Sequence, residues 1–162
     1  MVTLAQAIEQ LDTNRAQLLE LIDGIDQAAL DRKGVLGAWS VKNMLAHIAA
    51  WEAWVVQALP GRLASGTTPP ELAQRLVDED ASNAEEVAER EELTPDEQLM
   101  ELERNRAELL ALVRGLDEAM LAHSNLWDTW PGTLPEYLLD ALCDHEAAHV
   151  QELRTHLAAL TG

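Results

Sequence analysis

The segment LDTNRAQLLELIDGIDQAAL at residues 11–30 aligns without a gap to LERNRAELLALVRGLDEAML at residues 102–121, and 11 of the 20 positions are identical. Two unrelated amphipathic helices of similar composition would agree at a few positions, not at half. The chain therefore reads as two copies of one unit. Continuing the comparison with a seven-residue insertion pairs His47-Ile48-Ala49-Ala50 with His145-Glu146-Ala147-Ala148. The expected architecture is all-α: a four-helix bundle of two pseudo-symmetric helical hairpins, with a long helical crossover between the second and third helices. Residues 1–162 are expected to form one such domain. Two units are too few for a solenoid.

Local signals agree with this reading. Phe is absent and β-branched residues are sparse, a balance that favours helix. Thr3 and Gln6 form a capping box, and Leu4, Ile8, Leu11, Leu18, Leu21 and Ile22 follow at helical spacing until Gly24. Ser40 caps the second helix, with Trp39 and Met44 as a hydrophobic staple; Pro60-Gly61 is expected to end it near Leu59. In the crossover, Thr68 before Pro69, Pro70 and Glu71 predicts a short helix, and Ser82 with Glu85 predicts another start. Thr94-Pro95-Asp96-Glu97 opens the third long helix, which runs to Arg114 before Gly115. Thr133 with Glu136 opens the fourth, carrying Leu138, Leu142, His145, His149, Leu153, His156 and Leu160 along one side.

Charge excludes some functions. The net charge of −18, with only two lysines and no basic cluster, opposes binding to nucleic acid or an anionic membrane surface. No apolar run approaches the roughly 20 residues that span a bilayer. The single cysteine precludes an intrachain disulfide, and the N-terminus lacks a basic-then-apolar signal, so a soluble, cytoplasmic protein is expected. Between Asp78 and Glu103 lie 12 acidic residues and one basic residue, Arg90. This run reads as a solvated helical face, with an acidic partner surface as the open alternative.

His145 and His149, spaced i, i+4, project from one helical face about a turn apart, so both imidazoles can reach one metal. The pair alone fits a half-buried helix face more readily than a metal site. His47 shifts that balance, because the repeat places it across the bundle, and three histidines leave a coordination position open. His123 reads as a solvated loop residue, and His156 lies too far along the helix to share the ion. Cys143 sits about 160° round an ideal helix from His145 and reads as a buried thiol. Trp51 and Trp54, with Trp39, Trp127 and Trp130, are either plain core or an aromatic pocket wall. Asn43 is either a pocket group or a helix-start residue. No nucleophile–His–acid arrangement and no phosphate-binding glycine loop is present.

The stretch LGAWSVKNMLAHIAAWE resembles the second-helix signature of the DinB-like superfamily, close to its ClbS/DfsB branch. WPGTLPEYLLDALCDHEAAHVQEL resembles that family's last helix, and SNAEEVAEREELTPDEQL its segment before the third, where an asparagine corresponds to Asn83. The resemblance implies a four-helix bundle, a divalent metal (zinc, nickel, iron or manganese) on His47, His145 and His149, and homodimers in many members. It also implies a small-molecule substrate pocket, taken here as Trp39, Asn43, Trp51, Trp54, Asn83 and Trp130. Family activities include transfer or isomerisation dependent on a low-molecular-weight thiol, and hydrolysis in the ClbS-like branch without an established need for metal. The expected function is a metal-dependent hydrolase or thiol transferase for a small electrophile. The alternatives are a non-catalytic toxin-binding protein and a metal-independent hydrolase. Glu146 departs from the family pattern, which often has an aromatic residue there.

Overall fold

In the computed structural model, residues 2–122 and 132–161 are described, with side chains as far as Leu157 in the last helix. The architecture is all-helical. Four long helical segments carry it: α1 (Leu4–Ile22), α3 (Val41–Ser65), α6 (Pro95–Arg114), and a final run of α8 (Leu134–Tyr137), a π-helical segment (Leu138–Asp144) and α9 (His145–Thr161). The short helices α2 (Gln27–Leu30), α4 (Pro70–Ala73), α5 (Glu79–Glu89) and α7 (Glu118–Leu121) lie in the connections. Among the described residues there is no strand, and no helix is long and apolar enough to cross a membrane.

The helix starts follow the caps. Thr3, Ser40, Thr94 and Thr133 each form a reciprocal capping box, which satisfies two otherwise free backbone donors. Two boundaries differ from expectation. Helix α3 runs through Pro60 to Ser65 and stops at Gly66, whose φ of 71° is the left-handed cap. Pro60 is exposed, so the carbonyl its missing N–H leaves unpaired faces the solvent side. Gly61 then lets the helix touch the Pro69 ring: a Cβ there would stand 3.2 Å from the ring carbons. The second difference is α5, which starts at Asp78, whose carboxylate caps Ala81 N–H, rather than at Ser82. The Ser82 hydroxyl instead donates to the Arg75 carbonyl. The acidic run is only partly a solvated face. Glu86 pairs with Arg75, Glu91 with Lys33, Glu101 with Arg90 and Glu103 with Arg15.

Backbones approach most closely across the repeat, α3 against α6 and α1 against the last helical run, rather than within each expected hairpin. Asn14 Nδ2 donates to the Cys143 carbonyl at 2.6 Å, and Asn105 Nδ2 to the Ala49 carbonyl at 2.9 Å. The adjacent arginines follow the same exchange. Arg15 Nε reaches Glu146 at 2.7 Å and Arg106 Nε reaches Glu52 at 2.8 Å. Arg15 also donates to the Leu102 carbonyl, and Arg106 to the Leu11 carbonyl. Cross-links close the set, Arg15 to Glu52 at 3.0 Å and Arg106 to Glu146 at 2.7 Å. The two arginines are 5% exposed and the two glutamates 1%. Two opposite pairs in mutual contact are what allows four charges to leave water together. The network lies mid-helix between two apolar clusters, one containing Leu11, Leu59, Leu109 and Leu138, the other Leu18, Met44, Leu45 and Leu153.

These contacts correct the repeat register. Arg15 and Arg106 stand 91 residues apart, while Glu52 and Glu146, like Ala49 and Cys143, stand 94 apart. The insertion is therefore three residues, not seven, and His145 answers Trp51 rather than His47. The caps Ser40 and Thr133 are 93 apart, so one more residue enters between Thr133 and Glu146. The π-segment Leu138–Asp144 lies in that interval, and inserting one residue into an α-helix produces such a segment.

Candidate metal centre

His47 sits two turns into α3, and its ring is approached from the loop before the helix. In that loop Leu36 and Trp39 exchange backbone hydrogen bonds of 3.0 Å around Gly37, which has a φ of 64°. This tight turn fixes Trp39, whose ring centroid lies 5.2 Å from that of His47. His145 is the first residue after the π-segment, and His149 follows one turn on.

The three rings converge through one nitrogen each. His145 Nε2 lies 2.8 Å from His47 Nε2 and 3.1 Å from His149 Nε2. Burial, followed by the nearby His145, His149 and Arg75, lowers the His47 pKa to about 3. Burial, with His149 and Arg75, lowers that of His145 to about 4. Both are neutral imidazoles at pH 7, the state that ligates a cation. Tetrahedral coordination at ordinary Zn–N lengths separates ligand nitrogens by roughly 3.3 Å; the two contacts at His145 lie near that spacing, and all three nitrogens lie within 4.8 Å of one another. Converging lone pairs are poorly served by protons alone, since one N–H points at one acceptor. His149 Nδ1 faces the Glu152 carboxylate at 3.3 Å, the outer contact that orients a ligating ring. His47 Nδ1 is buried and has no partner among the described residues.

Beside the histidines lies a cavity of about 380 Å³ lined by His47, Trp51, Glu79, Asn83, Asp140, Ala141 and His145. A larger, shallower cleft of about 640 Å³ runs along α1 and carries none of the three histidines. Trp51 stands 6.1 Å from His145, centroid to centroid. Trp54 belongs to the apolar core, its indole N–H donating to the Leu72 carbonyl at 2.9 Å. Asn43 closes the Ser40 capping box and accepts from Lys33 at 2.8 Å, so its side chain holds the helix start rather than lining the cavity. His156 bonds the Glu152 carbonyl and stands apart from the cluster. Cys143 is fully buried, its thiol pushed up to about 12 by burial. Trp127, Trp130 and His123 lie outside the described residues.

Arg75 is the residue that sequence reasoning missed. It emerges from a one-turn 3₁₀ helix in the crossover and is buried. Its guanidinium lies 4.1 Å over the Trp51 ring, donates to Asn83 Oδ1 at 3.2 Å and pairs with Glu86. The available signal was a lone cation in the stretch LAQRLV just ahead of the acidic run.

An all-helical chain that gathers three imidazoles from two long helices beside a small cavity is, by fold and donor set, a helical protein with a metal-type histidine centre. The family model of the DinB superfamily matches residues 10–153, and the chain belongs to that superfamily. No curated protein matches the sequence. Among solved structures, an uncharacterised protein from Escherichia coli UTI89 is similar with a TM-score of 0.81 and 19% identity, covering 98% of this chain and 95% of that one. A mycothiol-dependent maleylpyruvate isomerase is similar with a TM-score of 0.72 and 18% identity. That match covers 94% of this chain but 61% of the isomerase, so the chain spans about three fifths of that enzyme. At these identities the likeness is one of fold.

Proposed function

We propose that this protein is a divalent-metal-dependent enzyme in which His47, His145 and His149 hold the ion, and that it acts on a small electrophilic substrate by hydrolysis or thiol transfer. The observation that carries the reading is the convergence of three Nε2 atoms, two of them on imidazoles that burial keeps neutral. An ion bound by three imidazoles supplies a Lewis acid with an open position that lowers the pKa of a water or thiol held there. An all-imidazole donor set suits zinc, nickel or iron better than magnesium or calcium. The chain's own residues supply the rest. Glu152 orients the His149 ring, Trp39 covers His47, and Trp51 walls the cavity where the substrate is held. Membership of the DinB superfamily supports the reading, as does the fold shared with an isomerase described as mycothiol-dependent. The finer placement near the ClbS/DfsB branch rests on the residues of LGAWSVKNMLAHIAAWE.

Metal analysis of protein purified without an affinity tag tests the reading. About one divalent ion per chain is expected, falling to none in His149→Ala. Unchanged metal content in that variant refutes the assignment.

A further inference from the structure

The two helices that carry the histidines are not close neighbours. Helix α3 lies along α6 and the last helical run along α1, while α3 and α9 approach each other far less. His47 meets His145 and His149 across the bundle, so the phase of one helix must be set against the other. Apolar side chains between them exclude water, but that attraction is non-directional. The directed contacts come from two guanidiniums. Arg106, on α6, places Nε and Nη2 on Glu52 Oε1 and the same Nη2 2.7 Å from Glu146 Oε2. Arg15, on α1, places Nε 2.7 Å from Glu146 Oε1 and Nη2 3.0 Å from Glu52 Oε1. Each arginine therefore spans both carboxylates. Each is also anchored on the other's helix, Arg15 by the Leu102 carbonyl and Arg106 by that of Leu11.

Glu52 follows the cavity residue Trp51, and Glu146 follows His145. The clamp thus grips both ligand-bearing helices one residue from the site. On the last run it acts just after the π-segment, which ends at Asp144. The two halves are 93 residues apart at the caps and 94 at the glutamates, so the inserted residue is absorbed before the clamp. The phase of α9 is fixed at Glu146. A slip of one residue there would turn His145 and His149 by about 100° away from His47.

We propose that Arg15 and Arg106 are positioning residues of the histidine centre: by bridging Glu52 to Glu146 they set the separation and phase of α3 and α9 at which the three imidazoles converge. The assignment rests on the histidines holding a metal ion. Metal sites accept ligand distances only within about 0.2 Å, so a loosened clamp is felt at the ion.

The test uses full-length Arg15→Lys and Arg106→Lys, which keep the charge but offer one nitrogen where the guanidinium offers three. Leu59→Ala is the control. It cuts into the apolar core two turns beyond Glu52 and leaves the clamp whole. Zinc affinity is measured by competition with a chromophoric chelator, and coordination by the visible spectrum of the cobalt(II)-loaded protein, on samples shown folded by circular dichroism. Both lysine variants should bind zinc at least tenfold more weakly, the lower end of the loss when a ligand-orienting partner is removed, and their cobalt bands should shift. The control should match the wild type in both. If the lysine variants fail to fold, Glu52→Gln, which keeps the side-chain shape, decides in their place with the same expected loss. Zinc affinity within twofold of the wild type, or an equal fall in Leu59→Ala, overturns the proposal. Wild-type protein that binds no zinc refutes the metal centre and this inference with it; wild-type binding that the clamp variants leave unchanged refutes this inference alone.

Discussion

Protein stripped of metal should lose stability between pH 7 and pH 5 because of its histidine cluster. Burial and neighbouring positive charge hold His47 at a pKa of about 3 and His145 at about 4, whereas both titrate near 6.5 in an unfolded chain. The unfolded state therefore takes up protons first. The stability these two bases contribute is fully present above pH 6.5 and drains away as pH falls toward 4. Between pH 7 and pH 5 the loss is about 2 kcal/mol for each histidine, or about 4 kcal/mol for the pair, to order of magnitude. Urea unfolding of chelator-treated protein at the two pH values measures it. A His47→Gln, His145→Gln double variant serves as reference, because it keeps every carboxylate that also titrates. The wild type should lose about 4 kcal/mol more than the variant. Equal losses in the two proteins would refute the claim that burial sets the protonation of this cluster.

Two further perturbations address the frame around the site. Arg106→Met removes the hydrogen bonds to Glu52, Glu146 and the Leu11 carbonyl and leaves Arg15 to serve two buried carboxylates. A loss of about 3–5 kcal/mol is expected in chemical denaturation, as for a buried pair deprived of one partner; a loss below 1 kcal/mol would show that the network is solvated. Cys143, fully buried with its thiol pushed up to about 12, should resist thiol reagents at pH 8 in the native protein and react once unfolded, as followed by absorbance of the released chromophore.

Much of the frame was legible because it is written in short-range chemistry. Thr3, Ser40, Thr94 and Thr133 announce helix starts through side chains that reach three residues along. The end of α3 was not legible, because Pro60 is tolerated only where its position round the helix faces solvent, and that depends on tertiary packing. The register of the repeat misled for a related reason. His47-Ile48-Ala49-Ala50 and His145-Glu146-Ala147-Ala148 match by identity, yet hydrogen bonds from Asn14 and Asn105 align Cys143 with Ala49. The π-segment has no sequence mark of its own; its extra residue emerges only when both ends of the helix are fixed. Arg75 lies in irregular crossover, where periodicity has no purchase, and its partners Trp51, Asn83 and Glu86 come from two different helices.

The central network obeys the exchange of halves and the cavity does not, and the difference has a physical cause. Each charge in the network is held by a group from the other half, Arg15 by Glu146 and Arg106 by Glu52. Changing one member alone strands a buried carboxylate or guanidinium at a cost of several kcal/mol, so the two Asn-Arg pairs must match. Cavity positions carry no such obligation. In the corrected register Trp51 answers His145, Val55 answers His149, and His47 answers Ala141, next to Asp140. The Trp51 and His145 rings lie 6.1 Å apart, so the cavity opens where the two halves meet. Histidines at all six positions would crowd more bases into a site where burial and nearby positive charge already lower the pKa values of His47 and His145. With Trp51 and Ala141 lining the cavity and Val55 buried in the core, the same fold presents one histidine triad rather than two. The repeat in the sequence reports the charged frame, and the departures from the repeat report the site.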